Sequence, residues 1–515
     1  MIDLLVHATH IFPLGGTYRP CDGIAIDQGR VVATGDFSVL RQQHSAQKTL
    51  DLGDVYVYPA FHDPHCHLHR YARQQLEVDL RGCRSEMEMI ERTLTFAKQQ
   101  PTGWIVGRAW DQNLWEEPIY PSRERLDQYF PDRPVYLERI DIHAAVVNTV
   151  ALNMAGLTDS AKVPGGEIIL KDGKMTGILV DNARNPVLRL IPEPNEAMWE
   201  QALSLAQQKL WSMGLVALGD AMLTGEEADR LTRLNEKGSF QMPVYGMIPA
   251  DQEHLNRYLA SGPQQQGNVS LGAFKLFADG ALGSRGAWLL EDYSDAPDHR
   301  GLALLDFDET LETARRIYEA GFQLCVHAIG DAANRQAIDL FRSVLPANNH
   351  RRWRIEHCQM MAKDDFAIMR DYRILPSIQP THAVSDAPWV EQRIGPRIQK
   401  AYPAKSLLEA CGKLVLGTDF PVESPDPLAT FRASVLREVD GDVFLPEERL
   451  TRANTLSAMT EWAAFSAFWE GERGSLQVGK WADMVILDRN LLEERLDAVR
   501  FTKILQTWIA GKVVY

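Results

Sequence analysis

Six residues of ligand type, spread in order along the chain and each closing an apolar run, set what chemistry this sequence can do. They are His65 and His67 on either side of Cys66, then Lys275, His327, His357 and Asp419. Side chains alternate across an extended segment, so a His-x-His pair turns both imidazoles to the same side. Two neutral ring nitrogens placed that way can hold one divalent ion at ~2.0–2.1 Å. His327 follows Gln323-Leu324-Cys325-Val326, His357 follows Trp353-Arg354-Ile355-Glu356, and Asp419 follows Leu414-Val415-Leu416-Gly417-Thr418. Alone, either histidine reads as a satisfied core residue and Asp419 as a helix cap. Four imidazoles, a carboxylate and a lysine in this order point instead to one metal site built from several parallel strands. A carboxylate beside a metal can both coordinate and accept a proton. Lys275 sits between Phe274 and Leu276, where a buried charge is costly. Burial lowers the pKa of such an amine and frees it to react with CO2. The alternative is an unmodified lysine balancing a nearby aspartate.

Positioning these residues requires strands that end on one face. Extended runs are expected at Val55–Phe61, Gly214–Asp220, Met242–Ile248, Ser270–Phe277, Phe322–His327, Trp353–His357, Arg373–Ile378 and Lys413–Gly417. Helical patterns fall between or after them at Glu196–Met213, Glu309–Ala320, Ala332–Val344, Lys363–Arg370 and Pro427–Val439. Strands alternating with helices imply parallel pairing. Eight of them predict an α/β chain with a (β/α)8 TIM-type barrel, whose chemistry gathers at the C-terminal ends of the strands. Residues 1–58 and 474–515 are strand-rich and are expected to form one composite β-sandwich, leaving 59–473 as the barrel. Residues 70–200, roughly, are far too long for an ordinary βα connection. They are expected to form an inserted lobe over the active face, with strands at Trp104–Trp110 and Pro134–Ile140.

Composition narrows the partners. The 515 residues are 45% hydrophobic and 24% charged, with a formal charge of −15. Nucleic acid and anionic membranes favour basic faces, so neither is expected as a partner. A small-molecule substrate is expected, and a homo-oligomer is left open. The six cysteines show no paired spacing, which fits reduced thiols in a cytoplasmic protein. Neither a signal peptide nor a run long enough to span a bilayer is apparent.

Several segments carry a resemblance. Pro59-Ala60-Phe61-His62-Asp63-Pro64-His65-Cys66-His67 resembles the first-strand motif of the amidohydrolase superfamily. Phe274-Lys275-Leu276-Phe277-Ala278-Asp279-Gly280, His327-Ala328-Ile329-Gly330-Asp331, Arg354-Ile355-Glu356-His357 and Gly417-Thr418-Asp419-Phe420-Pro421 are similar to the branch holding N-substituted formamide deformylase and the YtcJ-like hydrolases. Ala60 stands where glycine is usual, His62 where an aliphatic residue is usual, and Gly219 where histidine is common. The resemblance implies an N-carboxylated Lys275 bridging two divalent ions, expected to be zinc although other transition metals suit the same ligands. It also implies hydrolysis of an amide-type C–N bond, in an N-substituted formamide, N-acyl compound or cyclic amide. The expected mechanism is attack by a metal-activated hydroxide, with Asp419 carrying the proton to the leaving amine. Trp110 and His143 from the insert, and Arg285 and His382 from barrel loops, are the candidate substrate contacts. A mononuclear deaminase on the same fold would favour a His-x-x-Glu acid where this chain has His327-Ala328-Ile329-Gly330. A non-catalytic scaffold would be free to lose ligands, yet all six are present.

Overall fold

The computed structural model describes residues 1–16, 18–495 and 497–515. Its contacts divide the chain into two compact units, one made of Met1–Leu68 with Gln207–Tyr515, the other of His69–Ala206. The first unit holds a parallel eight-stranded sheet: β1 (Phe61–Cys66), β2 (Leu215–Asp220), β3 (Val244–Pro249), β4 (Val269–Phe277), β5 (Gln323–Ala328), β6 (Arg354–His357), β7 (Leu375–Ile378) and β8 (Val415–Leu416). Each strand pairs with its sequence neighbour from β1 through to β8. The ring is drawn together beyond β8, where Asp419 N donates to His65 O at 2.8 Å and His67 N donates to Phe420 O at 2.8 Å. This is a TIM-type barrel. Every residue of β1, β2, β3 and β6 is buried, the expected state of parallel strands covered on both faces.

Local chemistry starts the helices that cover it. Thr224 and Glu227 form a reciprocal capping box before Gly225–Glu236, and Asp306 caps Phe307–Glu319 through Glu309 N. Such caps satisfy amide donors that the first turn would otherwise strand.

The first strand differs from expectation. Val55–Phe61 was expected to open the barrel, but Tyr56–Pro59 belongs to a separate sheet and β1 begins at Phe61. The polar run His62-Asp63-Pro64-His65 conceals a strand, because its polar side chains are buried for reasons other than apolar packing. The separate sheet joins both chain ends. Ile2–Ile11, Cys21–Asp27, Arg30–Gly35, Ala46–Asp51 and Tyr56–Pro59 share it with Met484–Leu487, Ile504–Ile509 and Lys512–Val513. Val57 pairs with Ile486, and Ala60 N donates to Asp483 O at 3.0 Å. Val6, Ile24, Val57, Met484, Ile486 and Trp508 form its core.

The second unit has its own six-stranded sheet, in which Ile105–Trp110 lies parallel to Val135–Arg139. Leu80, Met89, Ile105, Trp110, Leu126, Leu137 and Val146 pack against one face. Among the described residues no helix is long and apolar enough to cross a membrane, and all six cysteines are free.

Candidate metal centre

His65 stands one residue before the end of β1 with its ring fixed from behind. Its Nδ1 donates to Glu356 Oε2 at 2.6 Å, which leaves Nε2 as the free lone pair. Glu356 stands on β6 two residues after Arg354, so both point the same way, and the guanidinium lies 2.8 Å from Glu356 Oε1. Arg354 also donates to Pro64 O at 2.9 Å and Ser377 Oγ at 3.0 Å, tying β1, β6 and β7 together. Burial alone would raise the Glu356 carboxyl, but Arg354 and His65 outweigh it and hold the group well below the ordinary range.

Asp419 is where the ligands converge. His67 Nε2 lies 3.2 Å and His65 Nε2 3.6 Å from its Oδ1, and His382 Nε2 lies 3.9 Å from its Oδ2. Its backbone is left-handed, at φ 59°, a conformation costly for a residue other than glycine. The hydrogen bond its backbone N–H donates to His65 O helps hold it there. Burial pushes its carboxyl upward, but the imidazoles of His65, His67 and His382 prevail and keep it ionised.

Across the rim, His357 ends β6 at φ 77°. Its Nδ1 donates to Gln379 Oε1 at 2.7 Å, again freeing Nε2. Ligand atoms of His65, His67 and Asp419 lie within 4.8 Å of one another, as do those of His357, His382 and Asp419. Asp419 belongs to both groups. His327 stands close by, its ring 4.5 Å from that of His357 and its Nε2 3.5 Å from Asp279 Oδ1, outside the two compact groups. Burial, then the charge of Lys275, pushes the His327 imidazole down to about 3. Lys275 is 2% exposed on β4, with Nζ 5.2 Å from the Phe277 ring centroid. Burial lowers its amine, against the pull of Glu356 and Asp419. Among the described residues it forms no ion pair within 4.0 Å.

The donor set fits divalent metal. His327 Nε2, His382 Nε2 and Asp419 Oδ1 are buried without a well-formed hydrogen bond, a costly state that coordination would relieve. An imidazole whose other nitrogen is held by a carboxylate or amide is the usual state of a metal-binding histidine. Carbamate formation at Lys275 would place oxygen donors where the amine now stands.

Sequence reasoning missed the supports. Asp63 accepts from His65 N at 3.0 Å and from the Thr418 hydroxyl at 2.7 Å, stitching β1 to the turn after β8. Asp279 accepts from Ile329 N at 2.9 Å and Gly330 N at 2.8 Å, fixing the turn after β5. Burial raises both carboxyls to about 7. The Arg-x-Glu spacing of Arg354 and Glu356, on one face of a strand, was the available signal for that pair. Gly219 also has a reason. A Cβ there would lie 2.3 Å from Pro64 O, so no histidine fits this backbone.

The expected substrate contacts scatter. Trp110 is fully buried in the insert core and donates its indole N–H to Leu137 O at 2.8 Å. It packs that sheet and presents no free face. His143 is exposed on the insert, 2.7 Å from Asp181 Oδ1. Arg285 is committed to Asp295 through bonds of 3.0 and 2.8 Å, the internal ion pair its glycine-rich loop needs. Of the four, His382 alone lies among the metal-ligand candidates described above.

Residues 48–515 match the profile of the Amidohydrolase family, and the chain belongs to that family. It is 32% identical to YtcJ of Bacillus subtilis (strain 168), covering 96% of each chain. It is 25% identical to the N-substituted formamide deformylase of Arthrobacter pascens, over 100% of this chain and 98% of that one. Among solved structures it resembles an uncharacterized metal-dependent hydrolase from Pyrococcus furiosus, with 30% identity, a TM-score of 0.78, and coverage of 95% of this chain and 100% of that one.

Proposed function

We propose that this protein is a metal-dependent hydrolase of amide-type C–N bonds, its substrate an N-substituted formamide, an N-acyl compound or a cyclic amide. The observation that carries the reading is Asp419 shared between two histidine groups, an arrangement suited to a pair of ions. His65, His67, His327, His357, Asp419 and a carboxylated Lys275 would hold them. Zinc is the first candidate, since imidazole and carboxylate ligands suit it. When bound, the metal supplies Lewis acidity toward a carbonyl and acidifies water. The chain does the rest. Glu356 and Gln379 fix the rings of His65 and His357 in one tautomer. Asp419, kept ionised, is in the state needed to take a proton from the attacking water. It then delivers that proton to the amide nitrogen, which leaves poorly until protonated. The relative from Arthrobacter pascens supports the formamide class as the first to assay.

The test is elemental analysis with a hydrolysis screen over those three substrate classes. Two ions per wild-type chain are expected. Lys275→Ala should fall to at most one and lose most activity, with partial recovery of both in acetate or propionate, whose carboxylate can stand where the carbamate stood. One ion per wild-type chain together with an unmodified Lys275 at high bicarbonate would remove the two-ion reading. Neither metal nor hydrolysis in any class would remove the function.

A further inference from the structure

His382 lies outside the ligand set read from the sequence, where it counts as a substrate contact. It sits in the first turn of the helix Pro380–Ile394, directly after β7, and so on the rim where the strand ends deliver their side chains. Gln379 and His382 are three residues apart and therefore share a face at the start of this helix. That face meets His357. Gln379 Oε1 accepts the hydrogen bond from His357 Nδ1, while the His382 and His357 rings stack with centroids 5.9 Å apart and planes 13° from parallel.

The two ring environments match in kind. The Gln379 amide meets His357 Nδ1 at 2.7 Å and the Gln359 amide meets His382 Nδ1 at 3.4 Å. Gln359 presents its amide nitrogen, and a half-turn of that group would present its oxygen instead, as Gln379 does. Nδ1 would then carry the proton and Nε2 the free lone pair. His382 Nε2 is buried without a hydrogen bond and faces Asp419 Oδ2. A substrate-binding histidine needs no such pairing with His357 across a shared carboxylate.

We propose that His382 is a metal ligand, holding the second ion together with His357 and Asp419. This rests on the metal-hydrolase reading above and goes beyond it by adding an imidazole to the ion pair's shell. The consequence is that β7, through the helix that follows it, contributes to coordination as β1, β5 and β6 would. Gln359 is then a positioning residue, turning the His382 ring.

The experiment reads metal directly, without turnover. Wild type, His382→Ala, His382→Gln and Gln359→Leu are stripped and reloaded with Co2+. Ions per chain, chelator-competition affinity and visible ligand-field absorption are then measured, and circular dichroism checks the fold. Loss of a group that only orients a ligand typically costs about 10–100-fold in metal affinity. Gln359→Leu should fall in that range for the weaker-bound ion, and both His382 variants should lose more, with an altered Co2+ spectrum. His382→Gln keeps a polar side chain of similar reach and answers the case in which the alanine variant fails to fold. Unchanged stoichiometry, affinity and spectrum in a folded His382 variant would overturn the proposal and return His382 to the substrate. A wild type that binds no Co2+ would overturn the metal-hydrolase reading itself, whereas a wild type with two ions and indifferent His382 variants would sink this inference alone.

Discussion

Two buried polar groups of the insert, Asn148 and Glu138, and three of the barrel rim, His327, His382 and Asp419, are organised on opposite principles. The two in the insert close on themselves. Asn148 uses all four of its hydrogen-bonding positions, donating to Phe130 O and Arg133 O at 2.9 and 2.7 Å and accepting from Val135 N and Ala151 N at 3.0 and 3.1 Å. Glu138 is held between Arg108 and Arg184 at 2.5 and 2.9 Å. On the rim, His327, His382 and Asp419 keep buried atoms with no well-formed partner. A closed network stabilises a fold, whereas an open one is retained at a cost and points to something the chain itself does not supply.

The largest effect that could break this comparison is at the rim. Asp419→Asn keeps shape and one oxygen but cannot cycle a proton. Turnover should fall by about 10²–10⁴-fold, the usual scale of general acid–base catalysis. The melting temperature should move little, and steady-state assays beside thermal denaturation check both. Near-normal turnover would mean that the open rim is not the reaction centre.

The insert should behave in the reverse way. Asn148→Ala removes a helix cap and strands two amides and two carbonyls, so it should destabilise by about 2–4 kcal/mol. Denaturant unfolding measures this, and metal content per folded chain should stay at the wild-type value. If Asn148→Ala stripped metal from folded protein, the separation of closed structure from open site would not hold.

His62 sharpens the contrast because it is open without belonging to the ligand set. It is 4% exposed on β1, and neither ring nitrogen has a hydrogen bond. Burial, then the charges of Arg473 and Lys480, pushes its imidazole from 6.5 down to about 3. The folded chain thus binds fewer protons at this site than the unfolded chain between those two values. Stability is intact above pH 6.5 and is lost as pH falls toward 3, by at most about 1.4 kcal/mol per pH unit. His62→Leu should remove that part of the acid slope and add about 1–2 kcal/mol at neutral pH. Unfolding free energies at pH 7 and pH 5 give both quantities, and an unchanged slope would mean that His62 is not buried neutral.

The barrel was legible because buried parallel strands are written in apolar residues, and seven of the eight expected runs overlap a barrel strand as expected. Val55–Phe61 misled because two sheets meet there, and periodicity registers extension without saying which sheet receives it. The ligand candidates were visible through residue type at strand ends. Their supports were not. Asp63 and Asp279 act by accepting backbone amides far away in sequence, and a carboxylate looks the same in sequence whether it binds an ion or a peptide group. Trp110 was misread for a related reason, since an aromatic residue can line a pocket or fill a core, and only its indole bond to Leu137 separates the two. His382 was noticed, but its nearness to His357 depends on how a helix leaves β7.

The seam between the terminal sheet and β1 sets an order of assembly. Tyr56–Pro59 hands the chain to β1 across Ala60 alone, yet only one of its two neighbours in the sheet, Ile2–Ile11, comes from the start of the chain, and the other is Met484–Leu487. Tyr58 Oη donates to Asn490, 432 residues away in sequence. During synthesis the segment carrying His65 and His67 therefore leaves the ribosome long before the strand that anchors its base. Asp419, the residue at which both histidine groups meet, also emerges late. The early half of the barrel must wait on the last part of the message for one of its braces, and a chain cut short before residue 484 would carry all six expected ligand side chains, yet lack one of the two strands that flank the base of the first of them.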